Sequence, residues 1–453
     1  MNKLEKTACK YAWSYPIIDL GRAELRNCCR IPFNKISEQD WEMGIEIFKS
    51  LDFIKQVKRD LIRGIKTEKC RTCWTSEEYG IHSPRGGLSS FISFLKESIW
   101  QNLTDEEIKE KLNNLSEEDL EKLENLEHPE HIEISLSTTC DLKCVYCSEV
   151  FSTQWATEKL KYNEITIEEI PKNNDDRYEK IWWEWFEKVA SKTVKNITFV
   201  GGEPLINDKF YEYVDKLIEF YDTTKKSRLH IFVATNLNTP KKFFDKLLSL
   251  IDRIVKSKYI SIAIGLSFES VGEKNNIIRS NSNWEVFSNN INALMTTIKT
   301  LDLRKWRVNI VLMPAINTLS VSSLPDYLKF IISMRDNFDR NIRLSKTHVT
   351  YPMRYSPFIL TSDFVKYLDE GAIILKNSKW YEEIPKNEHG SWITFTEYLE
   401  TLKNSILRDT TNELIHARKD FASDIKKLSI RRNFVFENVF PELVDFYKLC
   451  SNL

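Results

Sequence analysis

The chain has 453 residues, 42% of them hydrophobic, and its 65 Lys and Arg offset 66 Asp and Glu to leave a formal net charge of -1. That balance excludes the global basic field of a nucleic-acid-binding protein, and no apolar run approaches the ~20 residues of a membrane helix. The opening MNKLEKTACK lacks a signal-peptide apolar core, so a cytoplasmic location is expected and the nine cysteines read as metal ligands rather than cross-links.

Residues 1–95 hold Cys9, Cys28, Cys29, Cys70 and Cys73. Between them Leu51, Ile54, Val57, Leu61 and Ile65 recur at helical spacing, which predicts an amphipathic helix. It leads into KCRTCWTSEEYGIHSPRGG, a CxxC knuckle followed by a loop punctuated by Gly and Pro. Four thiolates here suit either zinc or an iron–sulfur cluster, and ligand type alone does not separate the two. Neighbouring side chains on a strand point to opposite faces. In extended geometry the expected set is therefore Cys9, one of Cys28 and Cys29, Cys70 and Cys73. Residues 96–130 are strongly charged, with Leu112, Leu115, Leu120, Leu123 and Leu126 at near-helical spacing. They read as a helical linker with a solvated face, closed by Pro129.

The next stretch, HIEISLSTTCDLKCVYC from His131, alternates Ile132, Ile134 and Leu136 with polar residues and predicts a buried strand entering a short loop. The loop carries Cys140, Cys144 and Cys147 in the spacing CxxxCxxC. A [4Fe–4S] cluster normally takes four thiolates. Three in one loop leave one iron open, and an open position separates a reactive metal site from a structural one. Cys144 and Cys147 alone would suit half of a zinc site equally well. The third cysteine, with Tyr146 just before Cys147, makes the pattern more specific.

Strands and helices then alternate as in a parallel α/β barrel. Strands are predicted at NITFVGGEP, LHIFVATN, YISIAIGLSFES, WRVNIVLMP and IRLSKTHV, with helical stretches from Ile181, Asp208, Lys241, Trp284 and Ser323 among them. With the His131 strand the count is six. The expected fold is α/β, a partial (β/α)6 barrel over residues 131–361, with a helical extension over 362–453. Active sites of such barrels gather at the carboxyl ends of the strands. Those ends carry Gly201, Gly202, Glu203 and Pro204, then Thr235 and Asn236, then Ser267 and Glu269. Two glycines let the backbone approach a ligand, and a carboxylate beside them can accept from a cationic amine. An ordinary tight turn is the competing reading. Arg279 suits a carboxylate ligand, with a plain surface arginine as the alternative. Asn309 and Asn317 are further candidates, the second explained as well by loop capping.

CDLKCVYC followed one strand later by GGEP resembles the signature of the radical SAM superfamily. CRTCWTSEEYGIHSPR, with Glu77 or Glu78, Gly80, Ser83 and Arg85, and the closing FPEL at residues 440 to 443 are similar to its twitch and SPASM-like auxiliary-cluster subgroup. Here, however, the cysteine module precedes the barrel. The resemblance implies a [4Fe–4S] cluster on Cys140, Cys144 and Cys147. It implies S-adenosylmethionine (SAM) held among Tyr146, Gly201, Gly202, Glu203, Pro204, Asn236, Ser267, Glu269 and Arg279. It further implies an auxiliary iron–sulfur cluster in the N-terminal module, and an electron donor such as flavodoxin or ferredoxin. The expected activity is reductive cleavage of SAM to a 5′-deoxyadenosyl radical that abstracts hydrogen from a substrate, a peptide or protein. The alternatives are a small-molecule or nucleobase reaction like that of the carboxy-deazaguanine synthases, and a non-catalytic metal-binding regulatory protein. Cys450, outside both modules, is expected to be an inert small hydrophobe.

Overall fold

A computed structural model describes residues 6–78, 83–170, 176–225, 227–302, 306–338, 341–408 and 411–453. Gly80 lies outside these described residues. Among them the strands are β1 (Ile17–Asp19), β2 (Glu24–Arg26), β3 (Asn34–Lys35), β4 (His131–Ser135), β5 (Lys143–Cys144), β6 (Asn196–Val200), β7 (Leu229–Thr235), β8 (Ile260–Leu266), β9 (Arg279–Ser280), β10 (Val308–Leu312) and β11 (Ile342–Leu344). The chain divides into two compact units. One comprises Met1–Thr138, Pro171–Gly201 and Tyr221–Ile231; the other comprises Thr139–Ile170, Gly202–Phe220 and Phe232–Leu453.

In the first unit β4 lies parallel between β6 and β1, with Ile134 opposite Phe199 on one side and Ile18 on the other. The expected alternation holds: Ile132 and Ile134 are fully buried. β1, β2 and β3 then form an antiparallel meander, Ile18 opposite Leu25 and Leu25 opposite Asn34. At two or three residues each, these strands are too short to show a period of two. The predicted amphipathic helix spans Asp52–Ile62 and buries Ile54, Val57, Leu61 and Ile62. It stops before Ile65 because Gly64 takes φ 72°, and the Ile65 amide turns back to the Asp60 carbonyl at 2.8 Å. Ile65 is left half exposed.

The charged stretch that follows forms helices Asp105–Asn113 and Glu117–Asn125. Thr104 and Glu107 make a reciprocal capping box on the first, and Ser116 caps the second. Their inner residues Ile108, Leu112 and Leu123 join one apolar cluster with Trp13, Phe91, Cys9, Cys28 and Cys70.

In the second unit β8, β10 and β11 run parallel, with Ile264 opposite Ile310 and Ile310 opposite Ile342. β7 begins in the first unit, where the His230 amide bonds to the Lys195 carbonyl. It ends in the second, where the Ser267 amide bonds to the Thr235 carbonyl. Helices Lys241–Lys256, Trp284–Leu301 and Leu324–Phe338 follow β7, β8 and β10. The first buries Phe244, Leu247, Leu250, Ile251 and Ile254, the stripe a helix must present to a sheet. All six expected strands are thus present as β4, β6, β7, β8, β10 and β11, alternating with helices in an α/β fold with parallel pairing. Helices Val365–Lys376, Trp392–Ile406, Asn412–Arg432 and Val444–Ser451 make up the C-terminal part. Cys450 is buried there, and burial pushes its thiol up to about 12, an unreactive setting. No helix among the described residues is long and apolar enough to cross a membrane.

Candidate functional site

The loop bearing Cys140, Cys144 and Cys147 is fixed by its own surroundings within the second unit. β5 pairs antiparallel with β9, placing Lys143 opposite Ser280 and Cys144 opposite Arg279. The Val145 amide extends the ladder to the Ile278 carbonyl at 2.9 Å. From the other side the Ser152 hydroxyl donates to the Leu142 carbonyl at 2.6 Å, and the Trp155 indole to the Cys144 carbonyl at 2.7 Å. Arg432, at the end of helix Asn412–Arg432, spans the two strands: Nη1 donates to the Lys143 carbonyl at 3.1 Å and to Ser280 Oγ at 2.7 Å. Its Nη2 pairs with the buried Glu158 at 3.2 Å.

Burial pushes all three thiols above their ordinary value, Cys144 to about 12. A metal must therefore displace their protons as it binds. Among the described residues no three His, Cys, Asp or Glu side chains converge on a single-ion position. A cubane asks for something else, since each of its thiolates meets a different iron.

Two carboxylates, Glu203 buried and Asp141 half-buried, lie in the same unit. Glu203, 2% exposed, accepts from the Asn236 amide at 2.6 Å and the Leu205 amide at 3.1 Å. Asn236 also donates from Nδ2 to Asp141 Oδ1 at 2.9 Å, so one residue ties both acids. Burial first, and then the charge of Asp141, pushes Glu203 up to about 7, while neutral donors pull the other way. Asp141 is likewise raised by burial. An amino group would relieve both acids, because its N–H donors meet acceptors that burial has deprived of water. Asp141 escaped the sequence reading; its one signal was an acidic residue directly after the first cysteine of the loop.

Gly201 needs its glycine for a reason within the first unit. Its φ is 83°, and a Cβ there would come within 2.0 Å of Ser135 Oγ on β4. Gly201→Ala is expected to destabilise the protein by about 2–4 kcal/mol through overpacking and left-handed strain, read by urea denaturation of metal-free protein. A curve that overlays wild type would mean that Ser135 moves aside freely.

The remaining candidates sort by partner. Arg279 is buried, not on the surface, and grips Glu269 with Nε at 2.9 Å and Nη2 at 2.5 Å. Glu269 also accepts from Tyr146 Oη at 2.9 Å and the Ala315 amide at 3.2 Å. Ser267 is half-buried at the end of β8. Asn309 donates to the Trp306 carbonyl, and Asn317 caps its own loop, accepting from the Leu319 amide and donating to the Ala315 carbonyl.

In the first unit the fold gathers Cys9, Cys28 and Cys70 into one apolar cluster with Cys29 packed against it. Cys73 acts on the thiols of both Cys9 and Cys70. Cys28 and Cys29 lie in the turn after β2, not on a strand, and Cys28 donates to Cys29, holding the Cys29 thiol low. The pleat argument that only one of them reaches the metal therefore does not apply. Arg85 binds Glu77 through Nε at 2.8 Å and Nη2 at 2.5 Å, and reaches the Ala8 carbonyl at 3.2 Å. It also stacks 4.2 Å over the Trp74 ring, while Ser83 donates to Glu77.

Residues 134–331 match the family model of the radical SAM superfamily. A 98-residue stretch is 32% identical to the 7-carboxy-7-deazaguanine synthase of Clostridium acetobutylicum, covering 21% of this chain and 33% of that protein. The chain thus spans about a third of the length of that curated relative. Among solved structures, native anSMEcpe with bound AdoMet aligns over 58% of this chain and 64% of its own, at 17% identity and a TM-score of 0.37. SuiB of Streptococcus suis bound to S-adenosylmethionine aligns over 72% and 64%, at 15% identity and a TM-score of 0.35. The superfamily uses a [4Fe–4S] cluster and SAM. The residues present fit that pair: three thiols on one braced loop, and the carboxylates of Glu203 and Asp141 lacking a basic partner among the groups that shift them.

Proposed function

We propose that the radical SAM domain at residues 134–331 makes this protein a cytoplasmic radical enzyme that acts on a peptide or protein. The observation that carries the reading is the Glu203–Asp141 pair, a buried and a half-buried acid joined through Asn236 in the same unit as the three-cysteine loop. Cys140, Cys144 and Cys147 hold the cluster, and Glu203 with Asp141 receives the SAM amino group. Together the bound groups supply a one-electron reductive cleavage of SAM, whose 5′-deoxyadenosyl radical takes a hydrogen atom from the substrate. The protein's part is to bind, orient and keep water out, and the burial of Glu203 and Arg279 serves the last of these.

A cavity of about 780 Å³ borders Tyr146 and Cys147 and supports a peptide substrate. Its wall includes Phe151, 46% exposed, and Tyr351, 87% exposed. The wall's charges are already paired, Lys159 with Glu149 at 2.7 Å and Arg354 with Asp424 at 3.1 Å. Exposed aromatics among neutralised charges suit a chain of mixed side chains better than one charged metabolite. The identity with the deazaguanine synthase supports the second reading, a small-molecule or nucleobase substrate. In the first unit, Cys9, Cys28 or Cys29, Cys70 and Cys73 hold an auxiliary iron–sulfur cluster, with flavodoxin or ferredoxin as the external donor.

Anaerobically loaded, reduced protein should convert SAM to 5′-deoxyadenosine and methionine, and a peptide pool should raise that rate where a nucleobase pool does not. No deoxyadenosine at all would sink the enzyme reading. Stimulation by nucleobases alone would select the second substrate class.

Glu203→Gln should separate binding from stability. The folded value of about 7 lies above the ordinary 4.5. The cost of ionising Glu203 is therefore absent below the ordinary value, grows as pH rises and is complete above about 7. Metal-free Glu203→Gln should accordingly match wild type near pH 4 and exceed it at pH 8 by on the order of 3 kcal/mol. The loaded variant should bind SAM about 10- to 100-fold more weakly, having lost a charge-assisted acceptor. Identical pH dependence of the two melts would place the titration elsewhere.

A further inference from the structure

We infer that Arg279 sets the reduction potential of the cluster through Cys144, a role that rests on the reading of Cys140, Cys144 and Cys147 as cluster ligands. The β5–β9 ladder puts Arg279 directly opposite Cys144, so the guanidinium emerges beside the sulfur. Nη1 lies 3.8 Å from Cys144 Sγ. Glu269 takes Nε and Nη2, and this bidentate grip leaves Nη1 aimed at the sulfur. Tyr146 Oη and the Ala315 amide draw on the Glu269 carboxylate as well, so its charge is shared and the guanidinium keeps more of its own. Arg279 is 8% exposed and Glu269 2%, so little water screens the contact.

The cluster sulfurs are not equivalent. At Cys140 the donor is the neutral Leu142 amide, 3.5 Å from Sγ. At Cys144 it is a cation. When an external one-electron donor reduces the cluster, its total charge falls by one, and the cation stabilises the reduced form more than the oxidised one. Hydrogen bonds to sulfur and local charge are the levers by which a protein tunes such a potential, and Arg279 supplies both at once. It is a positioning residue that acts on the iron through a thiolate.

The test is a redox titration of the full-length, cluster-loaded protein without SAM, followed by electron paramagnetic resonance of the reduced cluster. In Arg279→Gln the ratio of reduced to oxidised cluster at a fixed potential should fall about tenfold or more, a midpoint more negative by about 59 mV for one electron. Glu269→Gln removes the anion and leaves the cation, so its midpoint should move the opposite way. Arg279→Lys, charged but unable to span both partners, should fall between Arg279→Gln and wild type. Opposite signs in the two Gln variants are the mark of electrostatic tuning, since loosened packing would not reverse with the sign of the charge removed. An unchanged midpoint in either loaded Gln variant overturns the inference. Where Arg279→Gln takes up less iron, Glu269→Gln decides alone. If Arg279 serves only as a SAM ligand, its variants weaken SAM binding and leave the SAM-free midpoint in place, which also overturns it. A wild-type chain that takes up no iron fails the cofactor reading itself.

Discussion

Replacing Cys140, Cys144 and Cys147 together by alanine is expected to remove about half of the ~8 irons of the anaerobically reconstituted protein, and to abolish deoxyadenosine formation. The fold should survive. The loop is held by main-chain bonds to β9, by Ser152 and Trp155, and by Arg432, none of which uses a cysteine sulfur. Cys144 is buried, Cys140 and Cys147 are half-buried, and desolvation keeps the thiols protonated in metal-free protein, so alanine removes volume there and two long contacts to sulfur, from the Leu142 amide and Arg279. Iron analysis with the optical spectrum reads the first effect, and mass spectrometry of the reaction the second. Stoichiometric zinc without iron in the wild-type protein would turn the reading to a structural or regulatory metal protein.

The second large effect is expected from the double variant Cys70→Ala, Cys73→Ala. Held by four thiolates, the proposed N-terminal cluster would have no open iron, so its service would be electron transfer or support of the fold. In the redox role the variant folds, cleaves SAM and makes no product. In the supporting role it melts early or precipitates. The metal-free geometry favours the redox role: the cysteines sit among Trp13, Trp74 and Phe91, and Arg85 is already locked to Glu77 and the Ala8 carbonyl. Differential scanning calorimetry of both proteins, alongside product analysis, separates the two. Full product formation by a folded variant would exclude both.

The barrel strands and the three-cysteine loop were legible because their signals are local. β4 shows its period of two over five residues, and CxxxCxxC lies within eight. What escaped is built from residues far apart. β5 and β9 are two residues each and pair across more than a hundred positions, so neither carries a pattern by itself. Asp141 becomes notable only once β7 delivers Asn236 beside it. Gly201 looked like a concession to a ligand, and the close pass of Ser135 requires it already. The expectation that only one of Cys28 and Cys29 reaches the metal rested on extended backbone, where the chain instead turns.

Arg432 reaches back 289 residues to the Lys143 carbonyl, and with Ser280 and Glu158 it closes over the loop that carries the cysteines. On a ribosome that loop emerges well before its clasp. Until Arg432 is made the three thiols stand on a loop missing one of its ties. Iron delivered in that interval would meet a loop not yet held in its final shape. A chain that stops short of Arg432 is thus expected to accept iron at this loop more poorly than one that includes it, even though all three cysteines of the loop are already made.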